Sequence, residues 1–140
     1  MTTLTLFFRC FFVSAYLHVL IQVSIPNNQI YAINDTLSPE GAAEDYEAGL
    51  RDLVDRRILP LSNASGFPSF DLMLVGMGPD GHVASLFPNR PQRYEKKRWV
   101  TYITDSPKPP PPRITLTFPV INSSSEIAMV VTGAELATAV

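Results

Sequence analysis

Two residues with titratable side chains, Asp80 and His82, lie two positions apart in the stretch Phe70 to Pro88, F-D-L-M-L-V-G-M-G-P-D-G-H-V-A-S-L-F-P. They are the closest acid–imidazole pair in the chain. An imidazole can take up and release a proton near neutral pH, and a neighbouring carboxylate can orient it or a substrate hydroxyl. Gly76, Gly78 and Gly81 surround the pair. Their backbone N–H groups would suit an oxygen that gains negative charge during reaction. The same residues admit a purely structural reading, in which His82 caps the turn and Asp80 is an N-cap. Spacing alone does not separate the two. Gly76-Met77-Gly78-Pro79-Asp80-Gly81 also satisfies G-x-G-x-x-G after a strand, the dinucleotide fingerprint. Asp80 would set a carboxylate beside the pyrophosphate, and Pro88 leaves room for about two helical turns, so that reading is disfavoured.

The elements around the pair follow from periodicity. Phe70 to Val75 is a short apolar run, predicted to be a buried strand. Val83 to Phe87 is predicted to form one or two helical turns ended by Pro88. Ser38-Pro39-Glu40 starts a helix, with Ser38 as N-cap and Pro39 at the first helical position. Ala42, Ala43, Tyr46, Leu50, Leu53, Val54 and Ile58 recur at three-to-four spacing and give it a buried face of about five turns. Glu44, Asp45, Glu47, Arg51, Asp52 and Asp55 are expected to face water. Ile30 to Ile33 reads as a brief strand after a loop at Ile25 to Gln29. Pro60 to Ser69 and Asn89 to Arg98 read as polar connectors. Trp99 to Thr104 and Arg113 to Phe118 alternate as strands do. Between them, Ser106-Pro107-Lys108-Pro109-Pro110-Pro111-Pro112 reads as a stiff extended linker, with docking to an SH3 or WW domain as the minor alternative. Pro119 to Ser125 turns, Glu126 to Val131 is a second apolar run expected to be a buried strand, and Glu135 to Val140 starts a helix. Strands alternating with helices predict an α/β fold with a mainly parallel open sheet and flanking helices.

Composition bounds the rest. The 140 residues are 46% hydrophobic and 17% charged, as in globular domains. A net charge of -2 gives no basic footprint for nucleic acid. Cys10 is the single cysteine, so no internal disulfide forms, no zinc-spaced cluster exists, and a reducing compartment is expected. Leu4 to Ile25 is strongly apolar but contains Arg9, His18 and Gln22. It is read as a buried element or an unnatural start to the chain, ahead of a membrane or targeting segment, because Met1-Thr2-Thr3 lacks the positive start of a signal peptide.

The string G-M-G-P-D-G-H-V-A-S-L-F-P closely resembles the signature of 6-phosphogluconolactonases. Further blocks agree in order: Ile25-Pro26-x-x-Gln29-Ile30-Tyr31-Ala32-Ile33-Asn34, the Ser38 to Glu47 helix start, Pro112 to Thr117, Pro119 to Asn122 and Val130 to Gly133. The resemblance spans about Val23 to Val140, is nearest to plant members, and leaves Met1 to Gln22 as a separate segment. It implies a NagB/RpiA-like fold and hydrolysis of 6-phospho-D-glucono-1,5-lactone in the oxidative pentose phosphate pathway, with no metal or organic cofactor and a small-molecule phosphosugar lactone as partner. Cytoplasm is the expected location, with plastid as the alternative. On this resemblance His82 is the catalytic base, Asp80 orients it or the sugar, Arg113 grips the phosphate, and Gly76, Gly78 and Gly81 contact substrate. Two departures stand out. The family's N-terminal strand, phosphate loop and D-E-R-x-V-P segment have no counterpart here, and Leu136 occupies the place of a usual lysine, with Glu135 beside it. They predict an incomplete domain and a weakened or inactive enzyme. The alternatives are a non-catalytic sugar-phosphate-binding remnant and a glucosamine-6-phosphate deaminase-like isomerase, against which Ser85-Leu86-Phe87-Pro88 argues.

Overall fold

A computed structural model describes residues 26–131 and 133–137. The apolar segment at 4–25, Thr132 and the last three residues lie outside them, so the readings placed there are not taken further.

The longest element is helix α1, Pro39–Asp55. The Ser38 hydroxyl accepts from the Gly41 N–H at 3.2 Å, and Pro39 and Glu40 fill the first turn, as residues at a helix N-terminus should. Ala42, Ala43, Tyr46, Leu50 and Leu53 are buried on one face. The helix stops where Arg57 takes a positive φ of 59°. The N–H groups of Ile58 and Leu59 then both donate to the Leu53 carbonyl. That closure satisfies helix-end carbonyls and turns Leu59 into the core.

Four strands form two ladders. Strand β1, Leu72–Gly76, pairs in parallel with β4, Glu126–Val130, with Leu72 opposite Glu126 and Gly76 opposite Val130. Strands β2, Val100–Ile103, and β3, Arg113–Leu116, pair antiparallel. A short helix α2, Phe118–Asn122, lies between β3 and β4 in sequence, where a turn was predicted. One cluster of side chains joins α1 to both ladders, including Leu50, Met73, Val75, Val100, Ile114 and Leu116. The fold is α/β with a parallel sheet and flanking helices, to which the β2–β3 pair adds an antiparallel ladder.

Three elements differ from expectation. Neither β1 nor β4 is buried on both faces: Met73 and Val75 point inward while Leu74 is 55% and Val130 57% exposed. Among the described residues nothing covers that face. Ile30 to Ile33 forms no ladder, because no strand of the described residues lies alongside it; Tyr31 and Ile33 still pack against the core. Glu47 does not belong to a solvated face. Its Oε2 accepts from the N–H groups of Trp99 at 2.8 Å and Val100 at 3.0 Å, and its Oε1 from Arg51 Nη2 at 2.6 Å. The Arg51 guanidinium in turn lies 4.1 Å over the Trp99 ring centroid. A helix carboxylate thus fixes the first residues of β2, whose N–H donors would otherwise be only partly hydrated.

Glu47→Ala is therefore expected to lower the unfolding free energy by about 2 kcal/mol, the scale of charge-assisted bonds to part-buried donors. Arg51→Ala should cost under about 1 kcal/mol, since that pair is half exposed. Urea unfolding of both variants checks this, and equal losses would contradict the assignment to the backbone bonds.

Candidate active site

The chain leaving β1 at Gly76 does not enter a helix. It closes a tight loop in which the Gly78 N–H donates to the His82 carbonyl and the Gly81 N–H to the Gly78 carbonyl, both at 2.9 Å. Pro79 suits the second position of that turn because its φ is preset, and Gly81 takes φ +78°, which a side chain would strain. Met77 and Val83 then pair as an isolated bridge, and the Leu86 N–H closes a second turn onto the Val83 carbonyl. Ala84 sits at φ 54° inside it. Two consecutive reversals replace the expected helix at Val83 to Phe87. The N-cap reading of Asp80 falls with that helix.

The loop aims the acid–imidazole pair. His82 Nδ1 and Asp80 Oδ1 are 2.5 Å apart. Their side chains are 12% and 40% exposed, so the ring is sheltered and the carboxylate faces outward. Partial burial pushes the Asp80 carboxyl up, but the His82 hydrogen bond, its own backbone N–H and the charges of His82 and Lys108 outweigh this. The net effect holds it below the usual carboxylate value, so it is anionic at neutral pH. An anion only accepts, so Nδ1 carries a proton, and in the neutral ring Nε2 is the nitrogen that holds the lone pair.

Gly78 makes this arrangement possible. A Cβ there would lie 2.0 Å from His82 Cε1 and 2.3 Å from Nδ1. The imidazole rests against a bare α-carbon. The sequence reading assigned the turn N–H groups to a substrate oxygen. In the structure the Gly78 and Gly81 N–H groups both donate within the loop. A Cβ on Gly76 would meet nothing within 4 Å.

Phe87 was overlooked in the sequence and joins the parts. Its ring is almost wholly buried, lies 4.4 Å from the His82 ring, and has the Arg113 guanidinium 5.6 Å from its centroid. The imidazole and the guanidinium, 31 positions apart in sequence, share one aromatic plate. The Ser85 N–H donates to Thr115 Oγ1 at 3.3 Å and ties the loop to β3. The sequence signal was its place in the Ser85-Leu86-Phe87-Pro88 block of the family signature.

Arg113 is held by the proline segment. Its Nη2 donates to the carbonyls of Lys108 at 2.8 Å and Pro109 at 2.9 Å, and its Nε to that of Pro110 at 3.0 Å. The Ser106 N–H closes the segment onto the Pro111 carbonyl at 3.1 Å. The extended linker of the sequence reading is therefore a compact loop folded over Arg113. Four prolines cannot donate, and their outward carbonyls find the nearest fork of N–H groups. Among the described residues no group of three or more His, Cys, Asp or Glu side chains is placed to hold a metal ion. No helix among them is long and apolar enough to cross a membrane.

Gly78→Ala is expected to displace the His82 ring and break its Asp80 contact, seen as a large change in the imidazole resonances by NMR. Gly76→Ala should leave them in place. Asp80 has a depressed folded-state pKa, so its contribution to stability is present above its unfolded value and is lost as pH falls through the folded one. The stability gap between the wild type and Asp80→Asn should shrink as pH falls below about 4. A gap that widens with acid would contradict the pairing.

A family model described as glucosamine-6-phosphate isomerases/6-phosphogluconolactonase matches residues 12–140. A rice protein named probable 6-phosphogluconolactonase 4, chloroplastic (Oryza sativa subsp. indica), is 65% identical over 119 residues, covering 85% of this chain and 37% of its own length. The Arabidopsis thaliana protein named 6-phosphogluconolactonase 3, chloroplastic, is 59% identical over 126 residues, covering 90% of this chain and 39% of its own. The chain thus spans well under half the length of these curated relatives. Among solved structures, the 6-phosphogluconolactonase from Thermotoga maritima superposes with a TM-score of 0.66 at 34% identity, covering 83% of this chain and 46% of that one. With one family pattern running through the helix, both ladders and the Asp80–His82 turn, the chain belongs to the glucosamine-6-phosphate isomerase/6-phosphogluconolactonase family.

Proposed function

We propose that this chain carries the proton-transfer centre and part of the anion site of a 6-phosphogluconolactonase. The substrate is 6-phospho-D-glucono-1,5-lactone and the product 6-phosphogluconate. The observation that carries the reading is the shared Phe87 ring, against which both the Asp80-oriented imidazole and the Arg113 cation lie. Relatives at 55–65% identity named 6-phosphogluconolactonase support it.

In this reading His82 Nε2 takes a proton from water as the water oxygen bonds to the lactone carbonyl carbon. The tetrahedral intermediate collapses with cleavage of the bond to the ring oxygen, and the imidazolium returns the proton to that leaving oxygen. Asp80 keeps the tautomer and steadies the imidazolium. Arg113 presents Nη1 to the substrate phosphate while Nε and Nη2 stay on the proline loop. Gly76, at the exit of β1, borders the substrate. No step calls for a metal or an organic cofactor. The relatives named chloroplastic favour a plastid over the cytoplasm as the place of action.

The purified chain is expected to hydrolyse the lactone faster than its spontaneous opening. His82→Ala should reduce that excess rate by on the order of 10²–10⁴. An excess rate unchanged by the substitution removes His82 from the chemistry. No excess rate from a folded chain that still binds 6-phosphogluconate would instead identify a sugar-phosphate-binding protein. Release of ammonia from glucosamine 6-phosphate would point to the isomerase branch of the family.

A further inference from the structure

We propose that Lys108 is a second substrate-binding cation, which pairs with the phosphate monoester beside Arg113. The inference rests on the lactonase reading for its substrate class but on separate observations for the residue. A phosphate monoester carries a charge between about -1.5 and -2 at neutral pH, more than one guanidinium balances. Leu136, at the position where a lysine is usual in the family resemblance, is buried and apolar, so it supplies no charge.

Lys108 is fixed in place by its own backbone. The buried Ser106 hydroxyl donates to the Lys108 carbonyl at 2.9 Å and accepts from the Lys108 N–H at 3.2 Å. Arg113 Nη2 reaches the same carbonyl at 2.8 Å. Both cations therefore belong to one clasped loop, and the partners that hold Arg113 are neutral carbonyls. Among the described residues neither cation has a carboxylate in ion-pair contact, unlike Arg51, Arg56 and Arg90, which pair with Glu47, Asp52 and Asp105. The Lys108 ammonium is also near enough to Asp80 to favour its ionised form. A part-buried lysine, held by a locked backbone on the loop that clasps Arg113 and with no carboxylate in ion-pair contact among the described residues, is suited to an anionic ligand.

Calorimetric titration of 6-phosphogluconate and of gluconate into the full chain tests this directly, without requiring turnover. The expected result is that Lys108→Gln weakens 6-phosphogluconate binding about tenfold or more, that Lys108→Arg restores most of it, and that gluconate binding does not change. Where lactone turnover is measurable, KM should rise with kcat nearly constant, and hydrolysis of unphosphorylated glucono-1,5-lactone should be unaffected. Thermal unfolding of each variant guards against a folding defect. Undiminished 6-phosphogluconate binding by folded Lys108→Gln overturns the proposal, as does equal weakening of both ligands or no 6-phosphogluconate binding by the wild type. Binding that depends on Lys108 without any His82-dependent hydrolysis would uphold this site and sink the lactonase reading alone.

Discussion

The imidazole of His82 lies where a β-carbon on residue 78 would have to be, and much of the site follows from that one steric fact. With a bare α-carbon at Gly78, the ring lies against the backbone and its Nδ1 meets Asp80. The loop around it is closed by its own N–H groups, so its shape does not depend on a ligand. Pro79 presets one φ of the turn, and Gly81 permits the positive φ that closes it. What results is an imidazole presented from the end of β1 in a single orientation, with Nδ1 turned to its carboxylate partner. Preorganisation of this kind matters because a proton-transfer group contributes only when its geometry is already correct.

The second constraint comes from backbone groups that must find partners. The proline loop offers a row of carbonyls and almost no N–H donors. Arg113 meets three of them and becomes a fixed point of β3 rather than a mobile surface side chain. Glu47 provides the mirror case, a carboxylate on α1 that accepts from the N–H groups of Trp99 and Val100 where β2 begins. The two charged side chains hold opposite ends of the β2–β3 ladder. Phe87 is buried, and both His82 and Arg113 lie against its ring.

Some of this was legible in advance and some was not. The helix from Pro39 was plain, because cap, first-turn residues and apolar period agree. The β strands were found with their boundaries off by a residue or two. The burial of β1 and β4 was misread, since an apolar run looks the same whether one face or both are covered. The helix expected at Val83 to Phe87 was wrong because helix propensity yielded to a positive φ at Ala84 and to the bridge between Met77 and Val83. Glu47 looked like any solvated helix charge, and nothing local in sequence points to the N–H groups of Trp99 and Val100 more than 50 positions away.

Local chemistry, then, was written in the chain itself: an acid two residues from an imidazole, a proline and glycines that force a reversal, a capped amphipathic helix, and a family pattern running through them. These depend on neighbours along the backbone, whose distances covalent geometry limits. Which residues meet across the fold was decided only by packing. The Phe87 ring joins His82 and Arg113 across 31 positions, Lys108 comes near Asp80 across 28, and the Arg113 clasp folds a loop back that was expected to run extended. Their positions follow from close packing and from the demand that every buried N–H and C=O find a partner, conditions that belong to the whole molecule.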